Sequence, residues 1–344
     1  MKYLPRIEFN NTSLKAQKLQ SKLLDRISHV IDSGIFLEGP ENERLKKKLT
    51  TYFSVRYIQT VASGHDAIVF ALLSLGIKRG DQVLCPANAY PTAFAIVQTG
   101  ACLELVDVDE NGQMNPSDLS KRLSKKIKAI VVVHMYGHVG NLGTIKHLAK
   151  QHSIPLIEDC AQSYGAEYRQ EKVGMLGDIG CFSFYPTKNF GTLGDGGAVV
   201  TKSKKIYDYI TAAKSYGEKQ KYLSLFPSSH SRLPEIQAAV LNTYWPTLSK
   251  ELSTRRSLLK LIEACVFSAG LSDSIRVITS VKEANPAPHL FVVITSKRDK
   301  LQSYLKKKGI PTFIHYPKPI HQVPAFNSQN EAPRRKRRGI TRLT

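Results

Sequence analysis

Between Leu45 and Val200 the chain alternates short β-rich runs with segments of helical periodicity, the pattern of a mostly parallel sheet covered by helices. The runs Gln82–Cys85, Leu103–Asp107, Ala129–His134, Pro155–Glu158, Gly180–Phe184 and Gly197–Thr201 are expected strands. Asp66–Leu75, Pro91–Thr99 and Leu142–His152 are expected helices, bounded by Gly and Asn. Such α/β architectures place their sites at the carboxyl ends of strands. Beyond a polar stretch at 219–229, Pro234–Leu248 and Glu251–Ala269 read as amphipathic helices. Strands at Ala287–Thr295 and Ile310–His315, with a helix at Lys297–Lys308 between them, then make a small α+β unit. The expected division is an N-terminal arm and helix (1–34), a large α/β domain (35–248), a small C-terminal domain (249–330) and a basic tail (331–344).

Composition bounds the partners. The 344 residues carry 49 Lys and Arg against 28 Asp and Glu, a net charge of +21 that by itself suggests an anionic partner. Six of those basic residues face Glu331 alone in the tail, and the remainder are scattered, without the basic face and interleaved aromatics of a nucleic-acid-binding protein. No run reaches the ~20 apolar residues of a membrane span, and the start lacks a signal-peptide core, so a cytoplasmic protein is expected. Cys85, Cys102, Cys160, Cys181 and Cys265 show no metal-ligand spacing and are expected to be buried thiols.

Nucleotide-phosphate loops of the GxxxxGK[ST] and GxGxxG types, the GxSxG elbow and HExxH are all missing. What remains is a set of polar residues at strand ends. Ser63-Gly64-His65-Asp66 opens a helix and offers free N–H groups to a phosphate, although a plain N-cap would look the same. Glu158-Asp159 closes a buried strand, where a carboxylate is costly unless it meets a cation or a proton donor. Ser183 through Asn189 joins a hydroxyl, aromatics and Lys188 ahead of a Gly-rich turn; alone, Lys188 would read as a solvated loop charge. Together they meet the needs of pyridoxal 5'-phosphate (PLP): a lysine for its Schiff base, an acid for the pyridine nitrogen, a phosphate cradle and an aromatic face.

The stretches SGHDAIVFALLSLGIKRGDQVLCPA, KAIVVVHMYG, PLIEDCAQSYGA, GDIGCFSFYPTKNFGTLGDGGAVVT, SRLPEIQAAVL and KKGIPTFIHYPKPIH, in that order over about 25–326, resemble the DegT/DnrJ/EryC1/StrS family of PLP-dependent sugar aminotransferases. The resemblance implies a fold-type I transferase. Lys188 would form the Schiff base and move the proton, Asp159 would face the pyridine nitrogen and Gln162 the ring hydroxyl. Gly64, His65 and Ser183 would cradle the phosphate, with His65 standing where many relatives carry Thr, and Tyr90 would stack on the ring. His134 and Tyr185 would support the site. A partner subunit would complete it through a motif usually Asn-Ser-Arg-Leu, here His230-Ser231-Arg232-Leu233, which makes a homodimer with shared sites the working unit. No metal is implied.

The implied reaction moves an amino group from glutamate or glutamine to a nucleotide-linked keto-deoxyhexose, in surface polysaccharide, lipopolysaccharide or antibiotic sugar pathways. Pro86–Tyr90, Tyr216-Gly217 and Lys221-Tyr222 tilt this toward a 3-keto sugar. Family members usually continue after the HYPxPxH stretch with a helix and a strand, whereas this chain passes into EAPRRKRRGITRLT. The expectation is therefore a truncated or frameshifted end, an incomplete small domain and a disordered tail. The alternatives are an impaired remnant of the family or a basic nucleic-acid-binding protein.

Overall fold

The computed structural model describes residues 7–326; the expected basic tail lies outside the described residues. Seven strands form the central sheet: β1 (Tyr57–Val61), β2 (Gln82–Pro86), β3 (Cys102–Val106), β4 (Ile127–Val133), β5 (Leu156–Asp159), β6 (Ile179–Ser183) and β7 (Gly197–Thr201). Their order is β1-β7-β6-β5-β4-β2-β3. The pairs from β3 across to β6 are parallel, while β7 runs antiparallel to both β6 and β1.

The pleat explains why these runs are apolar almost throughout. Leu84, Ile130, Val132, Leu156 and Phe182 join the core on one face, while Val83, Val131, Ile157 and Cys181, their alternates, join the core on the other. Each fully buried aliphatic side chain contributes about 1.5–3 kcal/mol relative to exposure. The helix Gly64–Ser74 is apolar along its length because it is enclosed against β6 and β7, with Ala67 through Leu72 all buried. Its start is set by Ser63, whose Oγ accepts the Asp66 N–H.

The expected strands of the large domain stand within one or two residues, with β1 in addition. Its five residues, Tyr-Ile-Gln-Thr-Val, alternate weakly and pair only with the antiparallel β7, so no βαβ spacing announces it. The expected helix Pro234–Leu248 is a helix Glu235–Tyr244 followed by a 3-10 turn at Trp245–Thr247, where Pro246 withholds an N–H. The long helix Leu248–Ser268 follows.

The small domain departs most from expectation. Ala287–Thr295 contributes only the two-residue strand Val293–Ile294, paired with Arg276–Val277. Ile310–His315 forms no strand, because none of the described residues supplies it a ladder partner, and Phe313 is 63% exposed there. The helix Arg298–Lys307 is present but buries none of its residues. Among the cysteines, Cys85, Cys160 and Cys181 are buried as expected, but Cys102 and Cys265 are exposed. Among the described residues, no helix is long and apolar enough to cross a membrane.

Candidate active site

The carboxyl ends of β4, β5 and β6, three adjacent parallel strands, lie side by side. β5 ends in two carboxylates that face opposite sides of the sheet. Glu158 is fully buried and accepts from His134 Nε2 at 3.0 Å and from the N–H groups of Gly174, Leu176 and Gly177 at 2.9, 2.8 and 2.6 Å. Burial alone would raise its carboxyl pKa, but the His134 contact and the Gly174 and Gly177 N–H groups outweigh burial and hold it below the usual range. His134 is thus a buried clamp on the strand end. His134, Glu158 and Cys160 bring ligand atoms within 4.8 Å of one another, but both Glu158 oxygens are already engaged.

Asp159 is 4% exposed. Thr92 donates its hydroxyl to Oδ2 at 2.6 Å, and the Ala161 N–H donates to Oδ1 at 3.0 Å. A carboxylate has more acceptor capacity than these two bonds use, so Asp159 is oriented and still able to take a further donor. Thr92 lies on the same short helix, Tyr90–Gln98, as Tyr90, whose ring packs against Tyr316 at 5.2 Å between centroids.

Lys188 follows β6 on a turn closed by its own N–H to the Tyr185 carbonyl at 2.9 Å. Burial lowers its ammonium pKa, and the Asp159 charge pulls it back up. The balance still lies below the ordinary lysine value, which enlarges the neutral, nucleophilic fraction.

The cradle is shaped by contact. A Cβ on Gly64 would stand 2.5 Å from Ser183 Cβ, so only glycine lets the helix start meet the end of β6. Ser63 spends its Oγ and carbonyl on the N–H groups of Asp66 and Ala67, leaving those of Gly64 and His65 to face an anion. The His65 ring is turned to Gln98, Nε2 to Oε1 at 2.5 Å, so its offering to the cradle is its main chain. Gln162 is buried with Oε1 accepting the Tyr136 N–H at 2.6 Å, which aims its amide nitrogen as the remaining donor.

Tyr185, 49% exposed, lies at the surface. Exposed His230 meets the Tyr216 hydroxyl through Nδ1 at 3.1 Å. Arg232 Nε is buried without a hydrogen-bond partner among the described residues. Thr92, Tyr136 and His289, whose imidazole pKa is pushed down by burial and then by the Lys188 charge, carry no individual signal in the sequence. Thr92 stands in a run with no charge or spacing to mark it, Tyr136 lies in the KAIVVVHMYG stretch without a mark of its own, and His289 lies in a stretch that reads simply as strand.

These donors fit PLP: a lysine with lowered pKa, an oriented carboxylate with spare capacity, a pinned amide and a cradle that one methyl would fill. The fold and this site define a PLP-dependent aminotransferase. The chain belongs to the DegT/DnrJ/EryC1/StrS aminotransferase family, whose pattern matches residues 17–338. It is 36% identical over 333 residues to a dTDP-3-amino-3,4,6-trideoxy-alpha-D-glucose transaminase of Streptomyces venezuelae, covering 96% of this chain and 86% of that protein. It is 34% identical to a dTDP-3-amino-3,6-dideoxy-alpha-D-galactopyranose transaminase of Aneurinibacillus thermoaerophilus, covering 94% and 88%. The crystal structure of S. venezuelae DesV in complex with a ketimine intermediate superposes with a TM-score of 0.89 at 35% identity, over 97% of this chain and 89% of that one.

Gly64→Ala tests the cradle. Forcing the helix start off Ser183 costs about 1–3 kcal/mol, so PLP retention in equilibrium dialysis is expected to weaken about tenfold with the circular dichroism spectrum unchanged.

Proposed function

We propose that this protein transfers an amino group from glutamate or glutamine to a nucleotide-linked 3-keto-deoxyhexose, working as a homodimer in the cytoplasm, in the making of amino sugars for surface polysaccharide, lipopolysaccharide or antibiotics. The observation that carries the transaminase chemistry is Lys188, lowered in pKa by burial, in the field of Asp159. PLP, when bound, supplies an electron sink for the carbanion. Lys188, as a neutral amine, would hold the cofactor through its carbonyl and, when free of it, would take the proton from the substrate carbon and return it. Asp159, pinned by Thr92 and Ala161, would hold the proton on the pyridine nitrogen. Gln162 would donate to the ring hydroxyl, Tyr90 would lie against the ring, and Gly64, His65 and Ser183 would hold the phosphate.

The 3-keto preference is supported by the two dTDP-3-amino-sugar transaminases above, both with more than a third identity to this chain. The dimer is supported by an apolar face beside the His230–Arg232 segment. Ile35, Phe36, Leu37, Tyr216, Tyr222 and Leu225 are all exposed there. Leu37 bridges Pro234, and Ser215 bridges His230. Covering this face with a second copy would bury those side chains, and Arg232 would complete the partner's site.

Visible absorbance tests the chemistry. Wild type incubated with PLP should show a bound-cofactor band that bleaches with L-glutamate, while Lys188→Ala should show neither. A folded wild-type protein without the band would contradict the proposal. Mixing tests the shared site. Lys188→Ala and Arg232→Ala should each be inactive alone, and after co-refolding at equal amounts should recover about a quarter of wild-type activity, because half the dimers are hybrids with one intact site of two. Sites confined to one protomer would recover none.

A further inference from the structure

Two stretches singled out in the sequence, KAIVVVHMYG and KKGIPTFIHYPKPIH, are joined by one hydrogen bond. Tyr136 donates its hydroxyl to the His315 carbonyl at 2.6 Å, across 179 residues of chain. Its other polar atoms are equally committed. The Tyr136 N–H donates to Gln162 Oε1 at 2.6 Å, and its carbonyl accepts the His289 N–H at 2.9 Å. The residue is buried and held at φ +62°, a conformation that costs a non-glycine residue about 1–3 kcal/mol and persists only when its surroundings impose it. The next residue, Gly137, is also at positive φ, and a Cβ there would run into the Ala287 carbonyl. Burial raises the Tyr136 phenol to about 12, which keeps the hydroxyl a donor at any working pH.

The segment that receives this bond has few other ties: Phe9 packs on the Phe313 and His315 rings, and Gln302 donates to the Thr312 carbonyl at 3.2 Å. Residues 310–316 have no strand partner among the described residues, and Phe313 and Ile310 are exposed. The segment reaches the large domain at the Tyr136 bond and again where the Ile320 N–H meets the Ala87 carbonyl at 3.1 Å. Between these points the Tyr316 ring comes to lie against Tyr90. Burial, and then the Lys188 charge, push the His315 imidazole down, which places it within the field of the site.

We propose that Tyr136 is a positioning residue: through its N–H it fixes Gln162, and through its hydroxyl it holds the 315–316 segment beside Tyr90 and Lys188, so that the cofactor-side donor and this substrate-side segment are set as one unit. The function of that segment rests on the transaminase reading above; the fastening does not.

Tyr136→Phe keeps the buried ring and both main-chain bonds and removes only the hydroxyl. Losing one hydrogen bond is expected to speed amide exchange about five- to tenfold at Ile320 and through 319–326, while β4 and β5 exchange as in wild type. With PLP bound, the band should remain, and the half-saturating L-glutamate concentration for its bleaching should rise about five- to tenfold at an unchanged limiting rate. Unchanged exchange at 319–326, exchange accelerated across the whole sheet, or an unchanged glutamate midpoint would each overturn the proposal. Failure of wild type itself to bleach with glutamate would strike the transaminase reading and leave the exchange result standing as the test of the fastening.

Discussion

The structure depends on how one short buried strand, Leu156–Asp159, disposes of two adjacent carboxylates. Neither can stay in an apolar interior unmet, since an unpaired buried charge costs several kcal/mol. Glu158 is fully satisfied by His134 and three backbone N–H groups, and thereby ties β4, β5 and the 174–177 loop together. Asp159, on the opposite face, is oriented by Thr92 and Ala161 but not saturated. The first carboxylate builds a rigid floor, and the second is left available on it. Lys188, the Gly64–Ser183 contact and the pinned Gln162 are arranged around that availability.

The large domain was readable because its strands are buried on both faces and its helices alternate with them, so period and punctuation agree with tertiary position. The same holds for the site residues that end strands or open helices: Gly64, Asp159, Ser183 and Lys188 each sit where a backbone element stops. The sequence carries no mark where a residue acts through its partner. Nothing local distinguishes Thr92 from other helix threonines, and Tyr136 gains its role only once three distant elements meet around it. His65 shows the reverse, a side chain that suggests a donor in sequence and is turned to Gln98 in the fold.

The small domain shows what β-propensity cannot decide. Ile310–His315 is rich in strand-forming residues, but a strand requires a neighbour, and among the described residues none pairs with it. The chain instead runs past Tyr136, which donates to the His315 carbonyl, and past Tyr90, against which the Tyr316 ring lies, while Ala287 and His289 dock on the main chain of Gly137 and Tyr136. Asn189, next to Lys188, holds the Ala287 carbonyl at 2.8 Å from the other side. The 287–289 stretch is therefore tied both to the turn after β4 and to the residue next to Lys188.

Asp159, oriented by Thr92 and Ala161 with acceptor capacity to spare, is proposed to hold a proton on the cofactor ring. Nitrogen-15 NMR of protein loaded with ring-labelled PLP tests it directly, comparing wild type with Asp159→Asn at neutral pH. A protonated ring nitrogen in wild type and an unprotonated one in the variant is expected. The same protonation state in both proteins would contradict it.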